Sequence, residues 1–101
     1  MNKREFVAAV AEEAKLPKSE AAEVVNAVLD VIVNTVASGE KVSITGFGVF
    51  EQVHKPSRAA RNPSTGAEVK VEESWAPKFR PGTDFKELVN VNGRQAAGRS
   101  A

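Results

Sequence analysis

The sequence predicts an α+β chain with two N-terminal helices, an antiparallel sheet that sends out a long ribbon arm, and a short C-terminal helix. Three observations lead to this class. Apolar residues recur at helical spacing as far as Val36 and change to strict alternation at Val42. The fifteen residues from His54 to Glu68 contain no Val, Ile, Leu, Met or aromatic side chain of the Phe, Trp or Tyr type. Alternation then resumes at Val69 and Val71, so a segment with nothing to bury joins two strands.

The first helix opens at Asn2, whose side chain suits a cap, with Glu5 three residues on completing a capping-box pattern. Phe6, Val7, Val10, Ala11 and Ala14 form its apolar stripe, and Leu16-Pro17 breaks it. Pro17 suits the entry to a second helix, because a first turn needs no N–H there. In that helix Ala21, Val25, Val28, Leu29, Ile32 and Val36 share a face, and Val24, Val31 and Val33 widen it. Gly39 supplies the stop. Valine is a mediocre helix former, so this helix needs packing from elsewhere in the fold or from a second subunit.

Val42 and Ile44 alternate with Lys41, Ser43 and Thr45 as a half-buried strand, and Gly46-Phe47-Gly48 makes a tight connection. In the next strand Val49, Glu51 and Val53 face away from Phe50 and Gln52. Arg61-Asn62-Pro63-Ser64-Thr65-Gly66 carries turn chemistry in the middle of the apolar-free stretch. The simplest geometry is a two-stranded ribbon, about 54–74, that leaves the body and returns, mobile until it touches something. After Trp75, Phe79 and the Pro81-Gly82 break, Thr83 can cap a short helix over 83–90 with Phe85, Leu88 and Val89 inward. Residues 91–101 give no periodic signal and read as a flexible tail with two Arg and no Lys-rich repeat. The body without its arm is small and faced mostly with Ala and Val. A homodimer is therefore expected, with Val28, Leu29, Ile32, Phe47, Phe50 and Phe79 in its shared core.

Composition excludes several classes. With no Cys there are no disulfides, thiol chemistry or Cys-based zinc sites. No apolar run reaches the ~18 residues of a membrane span, and no secretory leader pattern is present, so a soluble intracellular chain is the expectation. Fourteen basic against 13 acidic residues leave a net charge of +1, which by itself argues against a nucleic-acid binder. The distribution argues the other way. Residues 1–40 sum to −3 and residues 52–82 to +3, and from Val53 to Ala67 there are three cations and no carboxylate. Glu12-Glu13 and Glu72-Glu73 are not read as acid–base pairs, because adjacent helical residues diverge and no His cluster accompanies them. Lys15, Lys18 and Lys41 are read as a solvated face, and His54 as a surface residue without a partner. Trp75 is read as packing at the base of the arm in preference to contacting a base.

Asn2-Lys3, the helix pair, Gly46-Phe47-Gly48-Val49-Phe50, Arg61-Asn62-Pro63-Ser64-Thr65-Gly66 and Phe79-Arg80-Pro81-Gly82 followed by Lys86 together resemble the HU/IHF family of bacterial histone-like proteins, from Met1 to about Asn90. The resemblance implies one domain over 1–90: an intertwined dimer with a helical base (1–38), a β-saddle (41–80) and arms that embrace double-stranded DNA through its minor groove. It implies no enzyme activity, no cofactor, no metal and no membrane, and a place in the cytoplasm at the bacterial nucleoid. Pro63 then matches the wedge at the arm tip, with Arg61 and Asn62 flanking it. Arg58 matches an arm cation, and Lys55 stands where Arg is usual. Lys3, Arg80 and Lys86 match body cations that hold flanking DNA, and Gly46 matches a backbone approach to phosphate. Lys70 and Lys78 of the same basic block complete the DNA-binding set. Trp75 and Thr83 stand where Lys is common, which removes two phosphate contacts. Little sequence preference is expected, with bent, nicked or flexible DNA favoured. The alternatives are a sequence-preferring IHF-like subunit paired with a paralogue, or a protein-interaction module whose arm is only a swap element.

Overall fold

The structure, a computed structural model, describes residues 1–100, with side chains as far as Gln95. The chain divides into two compact units, Met1–Thr35 and the part from Val36 onward.

In the first unit α1 spans Lys3–Ala14 and α2 begins at Lys18, running to Ala37. Asn2 caps α1 as its side chain allows, accepting the Glu5 N–H at 2.9 Å. The stop is a left-handed Lys15 (φ 57°), whose N–H reaches the Ala11 and Glu12 carbonyls, and Leu16 N–H also returns to Ala11. Ala21 N–H donates to the Pro17 carbonyl at 3.0 Å, so Pro17 stands just ahead of α2. Ala11, Ala21 and Val25 are buried. Phe6 and Ala14, expected on the buried stripe of α1, are exposed. Small side chains at the contact let the two helices meet closely, and the larger ones are left outside it.

The second unit starts where α2 ends. Gly39 turns the chain with φ +96°, and Gln52 Nε2 donates to the Val36 and Ala37 carbonyls at 3.2 and 3.3 Å. That amide gives the Ala37 carbonyl a donor at the helix end and adds a second to the Val36 carbonyl, which also accepts the Gly39 N–H at 3.0 Å. Strands β1 (Val42–Ile44), β2 (Gly48–Lys55) and β5 (Ser74–Pro81) form an antiparallel sheet in the order β1-β2-β5. Strands β3 (Arg58–Arg61) and β4 (Glu68–Val71) form a separate two-stranded ribbon. The expected arm is thus two segments. The interruption falls at Pro56-Ser57 and Glu72-Glu73, and Pro56 has no N–H to give to a ladder. Register survives it. Lys55 pairs with Ser74 and Arg58 with Val71, three residues on in each strand, so neither strand gains a bulge.

Phe47, Phe50, Phe79 and Phe85 gather on one side of this sheet, with Phe50 and Phe79 directly paired across β2 and β5 at 4.7 Å between ring centres. Phe47 lies 5.3 Å from Phe79 and 5.4 Å from Phe85, all tilted geometries that aromatic quadrupoles favour. Helix α3 spans Thr83–Ser100, ten residues beyond the expected end at 90. The residues taken for a flexible tail include Arg94, Gln95, Ala96, Ala97 and Arg99, all good helix formers, and the two glycines, Gly93 and Gly98, are tolerable costs. Ala101, the end of that expected tail, lies outside the described residues. Thr83 is the first residue of α3 and does not cap it; Gly82 precedes it and accepts the Lys86 N–H at 3.0 Å. Phe85 is half-buried as expected, but Leu88 (64%) and Val89 (57%) are exposed.

Candidate nucleic-acid interface

The arm tip is a built turn. Asn62 N–H donates to the Ala67 carbonyl at 2.9 Å, and the Asn62 carbonyl accepts Gly66 N–H at 2.7 Å. The Asn62 side chain accepts Ser64 N–H at 2.8 Å, and Thr65 Oγ1 accepts Ala67 N–H at 3.2 Å. Gly66 closes the loop at φ +72°, a conformation that costs a side-chain-bearing residue about 1–2 kcal/mol. Asn62 is half-buried within this network and Pro63 is exposed on it. Asn62 therefore holds the turn on which Pro63 stands, through its backbone and its side-chain oxygen.

Register sorts the cations by face, because paired residues share a face and successive residues alternate. On the β3–β4 ribbon Arg61 and Lys70 lie on one face with Ala59 and Glu68. Arg58 lies on the other with Ala60, Val69 and Val71. Every one of these cations is exposed, and among the described residues none of Lys55, Arg58, Arg61 or Lys70 forms an ion pair. On the β2–β5 sheet Lys55, Lys78 and Arg80 share the face opposite Phe50 and Phe79.

Glu51 sits among that second group, and composition gave no warning of it. Its carboxylate is 15% exposed and takes a bidentate grip on Arg80, with Nε at 3.0 Å and Nη2 at 3.2 Å. Lys41 Nζ lies 4.0 Å from the same carboxylate. Arg80 is thus held in place, its remaining N–H groups directed away from a partner that is itself mostly covered. Lys41, read as solvated, belongs to this cluster.

His54 does have partners. Its Nε2 lies 3.1 Å from Glu73 Oε2, and its ring lies 4.8 Å from that of Trp75, the residue opposite it in the ladder. Trp75 thus packs at the base of the arm, as expected, on His54 alone among the rings, and remains 58% exposed. In the first unit Lys3 lines a cleft with Arg4 and Lys18 above Val7, Ala8 and Ala22. The helical hairpin brings the first turns of α1 and α2 together, which makes Lys18 part of a three-cation group. Lys86 lines a groove with Phe79, Pro81, Phe85, Val89 and Asn90. Gly46 is exposed at φ +82°, with open space where a Cβ would stand. Among the described residues no cluster of His, Asp and Glu could hold a metal ion, and no helix is long and apolar enough to cross a membrane.

A helical hairpin followed by a sheet and a cationic ribbon tipped by a rigid, exposed proline defines a nucleic-acid-binding class of protein. A family model described as "Bacterial DNA-binding protein" matches residues 1–90, and the chain belongs to that family, the HU/IHF family of the sequence reading. It is 50% identical over 91 residues to "DNA-binding protein HU 2" of Streptomyces coelicolor, covering 89% of this chain and 41% of that protein. The chain thus spans about two fifths of that relative's length. It is 47% identical over 90 residues to "DNA-binding protein HRL53" of Rhizobium leguminosarum, covering 89% of this chain and 99% of the relative. Among solved structures, HU from an Anabaena HU–DNA cocrystal superimposes with a TM-score of 0.81 at 42% identity, covering 88% of this chain and 97% of that one. HU from Thermotoga maritima gives 0.62 at 32% identity, over 88% and 98%. The α+β class of the sequence reading stands with this membership.

Proposed function

We propose that the chain binds double-stranded DNA with little sequence preference and bends it, each arm tip driving Pro63 into a base step from the minor groove. The observation that best supports this reading is the exposed Pro63 held on the Asn62 turn, at the end of a ribbon whose cations are free of carboxylate partners. A rigid apolar tip flanked by cations is the equipment that minor-groove wedging needs. Lys3, Lys55, Lys70, Lys78, Arg80 and Lys86 hold the flanking phosphates, and the open backbone at Gly46 admits another. The work is done in the cytoplasm, on the nucleoid.

The active species is a homodimer. Among the described residues of one chain only Ala11, Ala21, Val25 and Val36 are buried apolar residues, whereas Val28 is 51% exposed, Leu29 42% and Phe47 42%. A chain this short does not fold stably on so small a core, and a second copy covers the surface that its own residues leave open.

Affinity for a mixed-sequence duplex should fall steeply as salt rises, by about 0.9 in the logarithmic slope for each phosphate neutralised. Absence of duplex binding at low salt would overturn the reading. The wedge has its own measurement. Pro63→Ala should remain dimeric and keep most of its affinity, while end-to-end energy transfer on a labelled duplex reports most of the bend lost. Kinks made by apolar wedges run about 20–90°, so the change is well within reach of that assay. An unchanged bend would remove Pro63 from the role.

A further inference from the structure

Trp75 is the only tryptophan of the chain, and it stands 58% exposed at the base of the arm. One side of its indole is backed by the His54 ring at 4.8 Å and 35°. His54 is in turn fixed by Glu73, whose Oε2 lies 3.1 Å from Nε2. Glu73 is two residues before Trp75, in the interruption just ahead of β5, and the shared contact with His54 places the two together. Its carboxylate is 57% exposed and has a second oxygen beyond the one that holds His54. The result is a supported aromatic plane beside a fixed hydrogen-bond acceptor.

The surroundings select the occupant. Glu72 and Glu73 stand together in the strand interruption and repel a phosphate, so the backbone of an intact duplex gains nothing here. A base that has lost its pairing partner fits both elements: its π-face stacks on the indole, and its exocyclic amino group donates to Glu73. We propose that Trp75, His54 and Glu73 form a stacking site for one unpaired, amino-bearing nucleobase of gapped DNA, separate from the Pro63 wedge. The proposal rests on the DNA-binding reading above.

The test compares three DNAs of equal length: an intact duplex, a duplex with a two-nucleotide gap opposite two dC residues, and the same gap opposite two abasic residues. Trp75 fluorescence reports the site directly, since no other tryptophan or tyrosine is present. The dC gap should quench it strongly and bind about 5- to 100-fold more tightly than the abasic gap, the range expected for stacking one base. Trp75→Ala should bring the ratio of the two gap affinities to about one. Trp75→Phe should keep most of that ratio, which a purely structural role would not require. Equal affinity for the two gaps, or quenching that is the same for both, overturns the stacking site. Failure to bind even the intact duplex overturns the DNA-binding reading instead, so the two failures are distinct.

Discussion

Replacing Arg58 and Arg61 together by Ala should weaken duplex binding roughly sixty-fold at 0.1 M salt and flatten the logarithmic salt slope by about 1.8. The figures follow from counterion release if each guanidinium neutralises one phosphate, at about 0.9 per contact. Neither side chain has a carboxylate partner to lose, so the change falls on binding and not on folding. Register makes the single variants informative as well. Arg61 shares its ribbon face with Lys70, while Arg58 lies on the face that also carries Ala60, Val69 and Val71. Each guanidinium reaches phosphate from its own face of the ribbon, and each single variant should then remove about half of the effect. A fluorescence-anisotropy titration at four or five salt concentrations measures both quantities. A slope unchanged in the double variant would mean that the arm does not touch phosphate.

That division of cations by face was not legible in the sequence. The helical hairpin, the alternation of β1 and β2, and the arm as an apolar-free stretch were, because each follows from a local period or from its absence. Turn chemistry at Asn62-Pro63-Ser64-Thr65-Gly66 was legible for the same reason, and the hydrogen bonds to Asn62 realise it. Pairing is another matter. Which residue of β5 faces which residue of β2 depends on how many residues the tip consumes, and a shift of one would exchange the faces entirely. The Arg80–Glu51 and His54–Glu73 pairs join residues 29 and 19 apart, and they exist only because the register is what it is. The net charge of +1 misled in a similar way. It counts Glu51 as a free carboxylate, whereas that group holds Arg80 in position.

Helix α3 departs from the reading for a different reason. Asn90, Asn92 and Gly93 look like helix terminators when taken one at a time, and Leu88 and Val91 set no clean stripe. Their propensity costs are fractions of a kcal/mol to about 1 kcal/mol each, small enough for an established helix to absorb. Apolar exposure along Leu88, Val89 and Val91 is also what removes the amphipathic signal by which a surface helix is usually found.

Gly48→Ala should lower the melting temperature by about 5–20 °C and reduce DNA binding with it. Gly48 is buried in β2, and a Cβ there would stand 2.6 Å from the Arg80 carbonyl oxygen and 2.6 Å from the Phe79 ring. Phe79 lies diagonally across the ladder on the same face, so its ring occupies the space that any side chain at 48 would take. Retreat is blocked by Phe50 at 4.7 Å, Phe47 at 5.3 Å and Phe85 at 6.1 Å. Overpacking of this kind costs about 1–3 kcal/mol, and in a domain of this size each kcal/mol is worth about 4–8 °C. Function follows stability here, because the same strand that must shift carries Lys78 and Arg80 on its other face. The cause can be isolated with a double-mutant cycle followed by thermal circular dichroism. Phe79→Leu shortens the ring that meets the new methyl, so Gly48→Ala should cost less in that background, with a coupling of at least about 0.5 kcal/mol. Gly46→Ala is the comparison, since its Cβ would enter open space and only φ +82° opposes it; its cost should not change when Phe79 is shortened. Simple additivity of Gly48→Ala and Phe79→Leu would show that the ring does not close the space above Gly48.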